Sequence, residues 1–478
     1  MPTKQLLLVS AALLMTASAN AADLPVKARP VQYVKICTLY GDGFYYIPGS
    51  DTCIKFGGYV RADYHWNASG GGTPNYTGAG GRQTRESNRF ATRHRANFNV
   101  DTRTGTAYGV LRTFASIHFQ NENQGTNTVT PVRAFIQWTG FTFGRTQSYT
   151  DIVFDEQFQF GTPQIGSTTD GDGTNQIAYT YQFGDGATFT IGAEERRGAG
   201  IGRSIANLST TSALVVGSQA VDSSHGQSFP DFLAVLRVDQ AWGYAGVFAV
   251  AHDASARYYQ GTPATCGGQV GTTLCGHPDS VMGWAAGGGA MINLPFIASG
   301  DKIGFQAVVS QGAGAYAANK HSSAGLFGSG NEVAFGWLID GVYVNGSNVE
   351  LTNIWSVIGG YEHVWSPNFR TSWFGGYLNV DYNNTATSFF CGAGATQSAV
   401  NTFSNCNPDY SLWYVGSRTM WTPIRNFFIG VEVQYMHIDT AFAGTANLAS
   451  GIGNRPTGTY TAKDIGIASA TVRAQRTW

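Results

Sequence analysis

Residues Ile54–Asn67 read IKFGGYVRADYHWN, with Ile54, Phe56, Val60, Ala62, Tyr64 and Trp66 on one parity and Lys55, Tyr59, Arg61, Asp63 and His65 on the other. A period of two sends successive side chains to opposite faces of an extended strand. The run is longer than ten residues, beyond the ~5–6 of a mean soluble strand and close to the ~9–11 that a tilted strand needs to cross a bilayer. Arg89–Asp101 repeats the pattern: Phe90, Ala96, Phe98 and Val100 oppose Arg89, Arg93, Arg95, Asn97 and Asn99, although His94 falls on the apolar side. Strands of this kind need two different solvents, one for each face.

Tight connections at Arg103–Thr106, Thr139–Gly140, Gly184–Gly186, Gln240–Gly243, Leu294–Asp301, Ser366–Phe369 and Thr422–Asn426 punctuate the chain. Between them lie stretches rich in Gly, Ser, Thr and Asn around 68–87, 121–130, 147–175, 196–229, 253–280, 311–350, 383–409 and 439–463. Short turns on one rim and long loops on the other are the habit of transmembrane barrels. Counting segments between connections gives sixteen strands when Glu332–Val344 is assigned to the sixth long loop. A strand there would make the number odd and leave the termini on opposite rims, so parity decides against it. Trp365-Ser366-Pro367 and Trp421-Thr422-Pro423 each set a Trp before a Pro-bearing turn, which fits both turn chemistry and anchoring at a membrane interface. The predicted fold is all-β: a 16-stranded antiparallel transmembrane β-barrel with short periplasmic turns, long extracellular loops and an inward-folded third loop.

That third loop is Gln147–Asn175, QSYTDIVFDEQFQFGTPQIGSTTDGDGTN, which holds five carboxylates and no lysine or arginine. Connections of such length are functional or disordered, and disordered segments are poor in residues like Phe154, Phe158, Phe160 and Ile165. The expectation is a loop that folds into the barrel and narrows it. Its acidic residues Asp151, Asp155, Glu156, Asp170 and Asp172 would then face the wall arginines Arg61, Arg93, Arg95, Arg112 and Arg133, which occupy the polar parity of the first four strands. Opposed charges across a wet gap would make a transverse field at the narrowest point. They nearly balance, which leaves ion preference open.

The chain opens with Lys4, an apolar run from Leu6 to Met15 and the small-residue pattern Ala19-Asn20-Ala21, the marks of a cleaved export signal. This divides it into a signal peptide at 1–21, a periplasmic-side segment at 22–52 and a barrel at 53–478. No later run offers the ~18 apolar residues of a spanning helix. Charged residues make up 12% and aromatic residues 13%, while average soluble proteins carry about 25% charged residues. The mean hydropathy of −0.12 is what alternating lipid-facing and water-facing rows average to. Formal net charge is −1, or −2 once Lys4 is lost, which points to no nucleic acid and no strongly charged partner. The six cysteines fall in local couples, so disulfides Cys37–Cys53, Cys266–Cys275 and Cys391–Cys406 are expected in an oxidising compartment, with buried thiols as the alternative. No metal-ligand spacing occurs among them.

The opening CTLYGDGFYYIPGSDTCIKFGGYVRADY, the hairpin FIQWTGFTFGRTQS, and the segments WSPNFRTSWFGGYLNVDYN and SRTMWTPIRNFFIGVEVQY together resemble the general porins of alphaproteobacteria. The resemblance runs over essentially the whole mature chain. It implies a homotrimer of sixteen-stranded barrels in the outer membrane of a Gram-negative bacterium, each pore narrowed by its third long loop. It further implies passive diffusion of small hydrophilic solutes and ions, contact with outer-membrane lipid and lipopolysaccharide, and insertion by the barrel-assembly machinery. The last strand, DIGIASATVRAQRTW, places Ala470, Val472 and Ala474 on one face with Trp478, similar to the terminal aromatic assembly signal of such proteins.

Three other readings compete: a substrate-specific channel, an outer-membrane hydrolase and a secreted soluble β-sandwich. Gly-x-Ser-x-Gly and His-Glu-x-x-His do not occur, so no catalytic residue, cofactor or metal is assigned. Asp170–Asn175 has calcium-loop spacing, but the position an EF-type loop reserves for Glu is Tyr181, and a Gly/Asp turn accounts for it better. His65 and His118 share the polar parity and are read as solvated.

Overall fold

The computed structural model describes residues 35–76, 85, 87–123, 125, 127–161, 165–166, 173–195, 205–209, 222–260, 273–318, 323–328, 330–392, 403–448 and 457–478. The expected leader at 1–21 lies outside them. Sixteen strands close into one antiparallel barrel. The first eight are β1 Thr52–Trp66, β2 Phe90–Thr106, β3 Gly109–Glu122, β4 Thr128–Trp138, β5 Phe141–Thr146, β6 Thr174–Gly184, β7 Ala187–Glu194 and β8 Asp231–Gln240. The rest are β9 Gly243–Asp253, β10 Met282–Asn293, β11 Lys302–Gln311, β12 Asn353–Ser366, β13 Phe369–Asp381, β14 Tyr410–Ile424, β15 Phe427–Asp439 and β16 Ile465–Thr477. Closure comes from β16 pairing with β1, Tyr59 opposite Thr477 through Trp66 opposite Ala470. A closed sheet has no free edge, and every ladder amide finds a partner.

The parity expected of these strands sorts their burial. On β1 the side chains of Phe56 and Trp66 are 65% and 48% exposed on the outside, while Asp63 and His65 are both 0% exposed. On β15, Ile429, Val431, Val433 and Tyr435 face outward, and Glu432, Gln434 and Met436 are buried on the inner side. Apolar side chains therefore coat the exterior and polar ones the interior, the reverse of a soluble protein.

Glu332–Val344 lies outside the barrel, as parity requires, yet the long loops are more ordered than their composition suggests. Ser323–Phe327, Glu332–Trp337, Gly458–Ala462 and Gly444–Leu448 form a four-stranded sheet, and Glu350–Leu351, Gly341–Tyr343 and Ile205–Asn207 a three-stranded one. Phe335, Trp337, Phe390, Phe403 and Phe442 pack together beside these sheets. Helix α1, Asn384–Cys391, starts where the Asn383 side chain accepts from the Ala386 amide at 2.8 Å, an N-cap that satisfies one orphan donor.

Two connections differ from expectation. The pairing of β2 with β3 runs through Thr106 opposite Gly109, so the turn is at Ala107-Tyr108 rather than Arg103–Thr106. Thr and Arg alternate as well in a strand as in a turn, and only the register decides. β14 likewise continues to Ile424, opposite Phe427, after an irregularity past Trp421, and Asn426 makes the turn with φ of 63°. Pro131 sits within β4 beside a register shift between Ser116 and Ile117, where its missing N–H costs no ladder bond.

Disulfides join Cys37 to Cys53 and Cys391 to Cys406. Cys275 is disulfide-bonded; Cys266, its expected partner, falls outside the described residues. The first bridge packs with Phe44 into a small core at the start of β1.

Candidate functional site

The polar parity of β1 to β4 builds one wall. Antiparallel register sets Arg61 opposite Arg95 and Asp63 opposite Arg93, then Arg95 opposite Gln120 and Arg93 opposite Glu122. Arg93 closes an ion pair with Glu122 at 2.7 Å. Asp63 is shared between Arg61, at 3.1 Å, and Arg473 of β16, at 2.6 Å. Arg95 donates to the neutral Gln120 at 2.8 Å.

Within the loop Gln147–Asn175, residues 147–161 and 165–166 enter the lumen and fasten to the far wall, as the loop's aromatic content demands. Ile152, Val153, Phe158, Phe160 and Ile165 are all buried, and Phe154 is half-buried. Phe158 lies against Gly360, where a Cβ would come within 2.4 Å of its ring. Glu432 of β15 accepts from the amides of both Phe160 and Gly161, the latter at 3.0 Å. Gln306 accepts from the Val153 amide at 2.8 Å. Arg418 of β14, only 4% exposed, donates to the carbonyls of Gln157 and Gln159 at 3.0 and 3.2 Å. The first of these carbonyls ends the short 3-10 turn Asp155–Gln157, where a helix leaves its last carbonyls without an internal partner. The Phe160 ring is held between two guanidiniums, Arg473 at 4.4 Å and Arg418 at 5.3 Å, each a cation–π contact.

Between the loop and the wall remains a cavity of about 1130 Å³. Arg61, Arg93, Arg95 and Arg133 line it, and Glu156 faces them from the loop. Arg112 does not line it; it pairs with Asp101 at 3.0 Å and donates to Gln137. Asp151 is buried outside the lining. Asp155 begins the 3-10 turn, with its side chain outside what is described, and Asp170 and Asp172 lie outside the described residues. His65 and His118 are buried rather than solvated: His65 Nδ1 is 2.9 Å from Thr471 Oγ1, and His118 Nε2 is 3.3 Å from the Tyr59 hydroxyl. Trp478 packs its ring over Gly58 and donates its amide to the Gly58 carbonyl at 3.1 Å.

Several lining residues escaped the sequence reading: Lys302, Glu362, Arg370, Arg418 and Arg473. Glu362 gathers three of them, Arg418 at 3.0 Å, Lys302 at 3.7 Å and Arg370 at 3.8 Å. The signal was available, because each is a charge on the buried parity of an otherwise apolar strand. Potential metal ligands converge at His437, Asp439 and Asp464, away from the residues that line the cavity.

A closed sixteen-stranded barrel with an apolar exterior, a charged lumen and a loop strung across it is a membrane β-barrel of the channel type. The chain matches the family described as the porin subfamily over residues 23–468 and belongs to it. Its location is accordingly the outer membrane of a Gram-negative bacterium. It is similar to Porin Omp2b of Brucella suis, 35% identical over 215 residues that make up 41% of this chain and 52% of that protein. Porin Omp2b of Brucella canis is 34% identical over 216 residues, 41% of this chain and 54% of the other. The chain thus spans about half the length of the curated relatives it matches. The outer membrane channel DcaP of Acinetobacter baumannii superposes with a TM-score of 0.58 at 14% identity, over 91% of this chain and 99% of that one, which is a likeness of fold.

Proposed function

We propose that the chain forms a water-filled pore for passive diffusion of small hydrophilic solutes and ions, narrowed by the loop Gln147–Asn175. The observation that carries this reading is the loop fastened by Glu432 and Arg418 to one wall, with a charged cavity left open against the other. Water-filled, such a gap screens charge over about 8–10 Å at physiological salt, so its fixed charges act on solutes close to them. Arg61, Arg93, Arg95 and Arg133 with Glu156 are the pore-facing residues on this reading; Arg112 with Asp101 would act further along the wall. The side chains of Asp155, Asp170 and Asp172 are assigned to the loop face of the gap, and Asp151 to its support. A homotrimer, contacts with lipopolysaccharide and insertion by the barrel-assembly machinery with Trp478 as its signal belong to the same proposal. The role proposed is that of a channel rather than of an enzyme.

The test is purified full-length protein in planar bilayers. Stepwise conductance that grows with salt is expected, in groups of three for a trimer; a protein that inserts and passes no current overturns the reading. Glu156→Gln should then move the reversal potential toward anions, and an unmoved potential would remove Glu156 from the narrow part.

A further inference from the structure

We infer that the narrowed gap prefers anions and holds a small oxyanion, phosphate or carboxylate, at Arg61 and Arg95. The inference rests on the pore reading above and names the class of solute it favours.

Eight of the described side chains lining the cavity are basic and three are acidic. The buried carboxylates Asp63 and Glu432 stand behind this lining and bring the described acidic groups to five against the same eight basic ones. The carboxylates that are described are also oversubscribed. Asp63 serves two arginines, and Glu362 serves two arginines and a lysine.

Two arginines carry the excess on the open wall. Arg61 and Arg95 are directly opposite each other in antiparallel register, so their Cβ atoms are about 4.5–5.5 Å apart, a placement in which like charges repel. Neither has a carboxylate to itself. Arg95 spends its Nε on a neutral amide and has no ion pair among the described residues. Arg61 has only a share in a carboxylate: its Nε lies 3.1 Å from Asp63 Oδ2 without forming a hydrogen bond, and the same carboxylate accepts two bonds from Arg473. Adjacent guanidinium forks match the paired oxygens of a carboxylate or phosphate, and an anion between them would turn the repulsion into two attractions. At about 1130 Å³ the cavity is larger than a sealed ligand cleft of ~300–1,000 Å³. A bound ion there keeps its exits, as conduction requires.

The experiment is single-channel recording of the full-length protein in planar bilayers under a potassium chloride gradient. The wild type should give a reversal potential of anionic sign. Inorganic phosphate at millimolar level should reduce the chloride current in one arm and succinate in another, and the stronger of the two identifies the source of the oxyanion. Arg61→Gln/Arg95→Gln should lower the anion-to-cation permeability ratio by roughly twofold or more, within the screening length of the removed charges, and abolish the block; Arg95→Lys should keep the sign. Stepwise conductance with a neutral or cationic potential in the wild type overturns this inference and leaves the pore standing, whereas no conductance at all removes the pore itself. A double variant that fails to insert still leaves the wild-type sign and the Arg95→Lys comparison to decide.

Discussion

Asp63 on the first strand and Arg473 on the last meet inside the closing seam of the barrel, with Arg473 Nε donating to Asp63 Oδ1 at 2.6 Å and Nη2 to Oδ2 at 3.3 Å. The ion pair ties together strands that are more than four hundred residues apart. Its carboxylate is wholly buried and also faces Arg61 at 3.1 Å.

Asp63→Asn would strand two buried guanidiniums. Removing one member of a buried pair costs up to about 3–5 kcal/mol because the remaining charge is left uncompensated. The variant should unfold at lower temperature in detergent, followed by loss of β circular dichroism, and should show stronger anion preference in bilayers. Unchanged melting would mean that the seam is held by its backbone ladder alone.

Glu432→Gln tests the anchor of the loop. The carboxylate accepts from two successive amides, Phe160 and Gly161. A glutamine side chain has only one oxygen and presents an N–H to the other donor. Hydrogen bonds to a charged group contribute about 1.5–3 kcal/mol each, and the remaining anchors, Arg418 and the Phe158 contact with Gly360, would hold a loosened loop. Larger and noisier single-channel conductance is expected. A current trace indistinguishable from wild type would place the restraint elsewhere.

These residues show what parity in the sequence does and does not carry. Alternation on β1 and β2 assigns Arg61, Arg93 and Arg95 to the inner face, and a separate argument, the even number of strands, leaves Glu332–Val344 out of the barrel. Parity gives the face of a strand but not the depth along it, since depth is set by register with the neighbouring strands. Hence Arg112, on the correct face, lies level with Gln137 and pairs with Asp101 instead of lining the cavity. The anchors were hidden for a second reason. Glu432 and Arg418 act on backbone atoms of the loop, and no side-chain pattern in the loop names its acceptor or donor. The aromatic residues Phe158 and Phe160 signalled that the loop is buried, without saying against which strands.

Acid should weaken the turn before β11. Asp301 closes that turn and is met by the Tyr361 hydroxyl at 2.6 Å, His363 Nδ1 at 2.7 Å and the Val364 amide at 2.8 Å. Burial alone would raise its carboxyl, but these hydrogen bonds outweigh burial and hold it below the ordinary carboxylate range. A lowered carboxyl contributes stability above its unfolded value near ~3.9, and that contribution is lost as pH falls through the folded value. Wild type should therefore melt above Asp301→Asn at pH 7, with the gap narrowing below about pH 4. A gap of equal size at both ends of the range would show that the charge of Asp301 is not what fastens the turn.

The sixth long loop is tied to the barrel by a buried polar network, and Tyr316 is its exposed weakness to mutation. The side chain is 0% exposed, and its hydroxyl lies 2.8 Å from both Glu194 Oε1 at the end of β7 and Asp231 Oδ2 at the start of β8. Asp231 Oδ1 meets His252 Nδ1 of β9 at 2.9 Å, and His252 Nε2 is 3.5 Å from Asp340 in the same loop. Asp340 in turn accepts from the Gly314 amide at 2.6 Å. Tyr316→Phe keeps the ring and removes the hydroxyl, which has a single proton to share between the two carboxylates, so one buried hydrogen bond is lost at a cost of about 1–3 kcal/mol. The β ladders of the barrel are untouched, so the loss should appear as local opening rather than global unfolding. Cleavage within residues 311–352 by added protease, followed by mass spectrometry on protein in liposomes, should accelerate while the melting temperature stays near that of wild type. Equal cleavage rates would mean that the apolar packing of Phe335 and Trp337 holds the loop without help from the network.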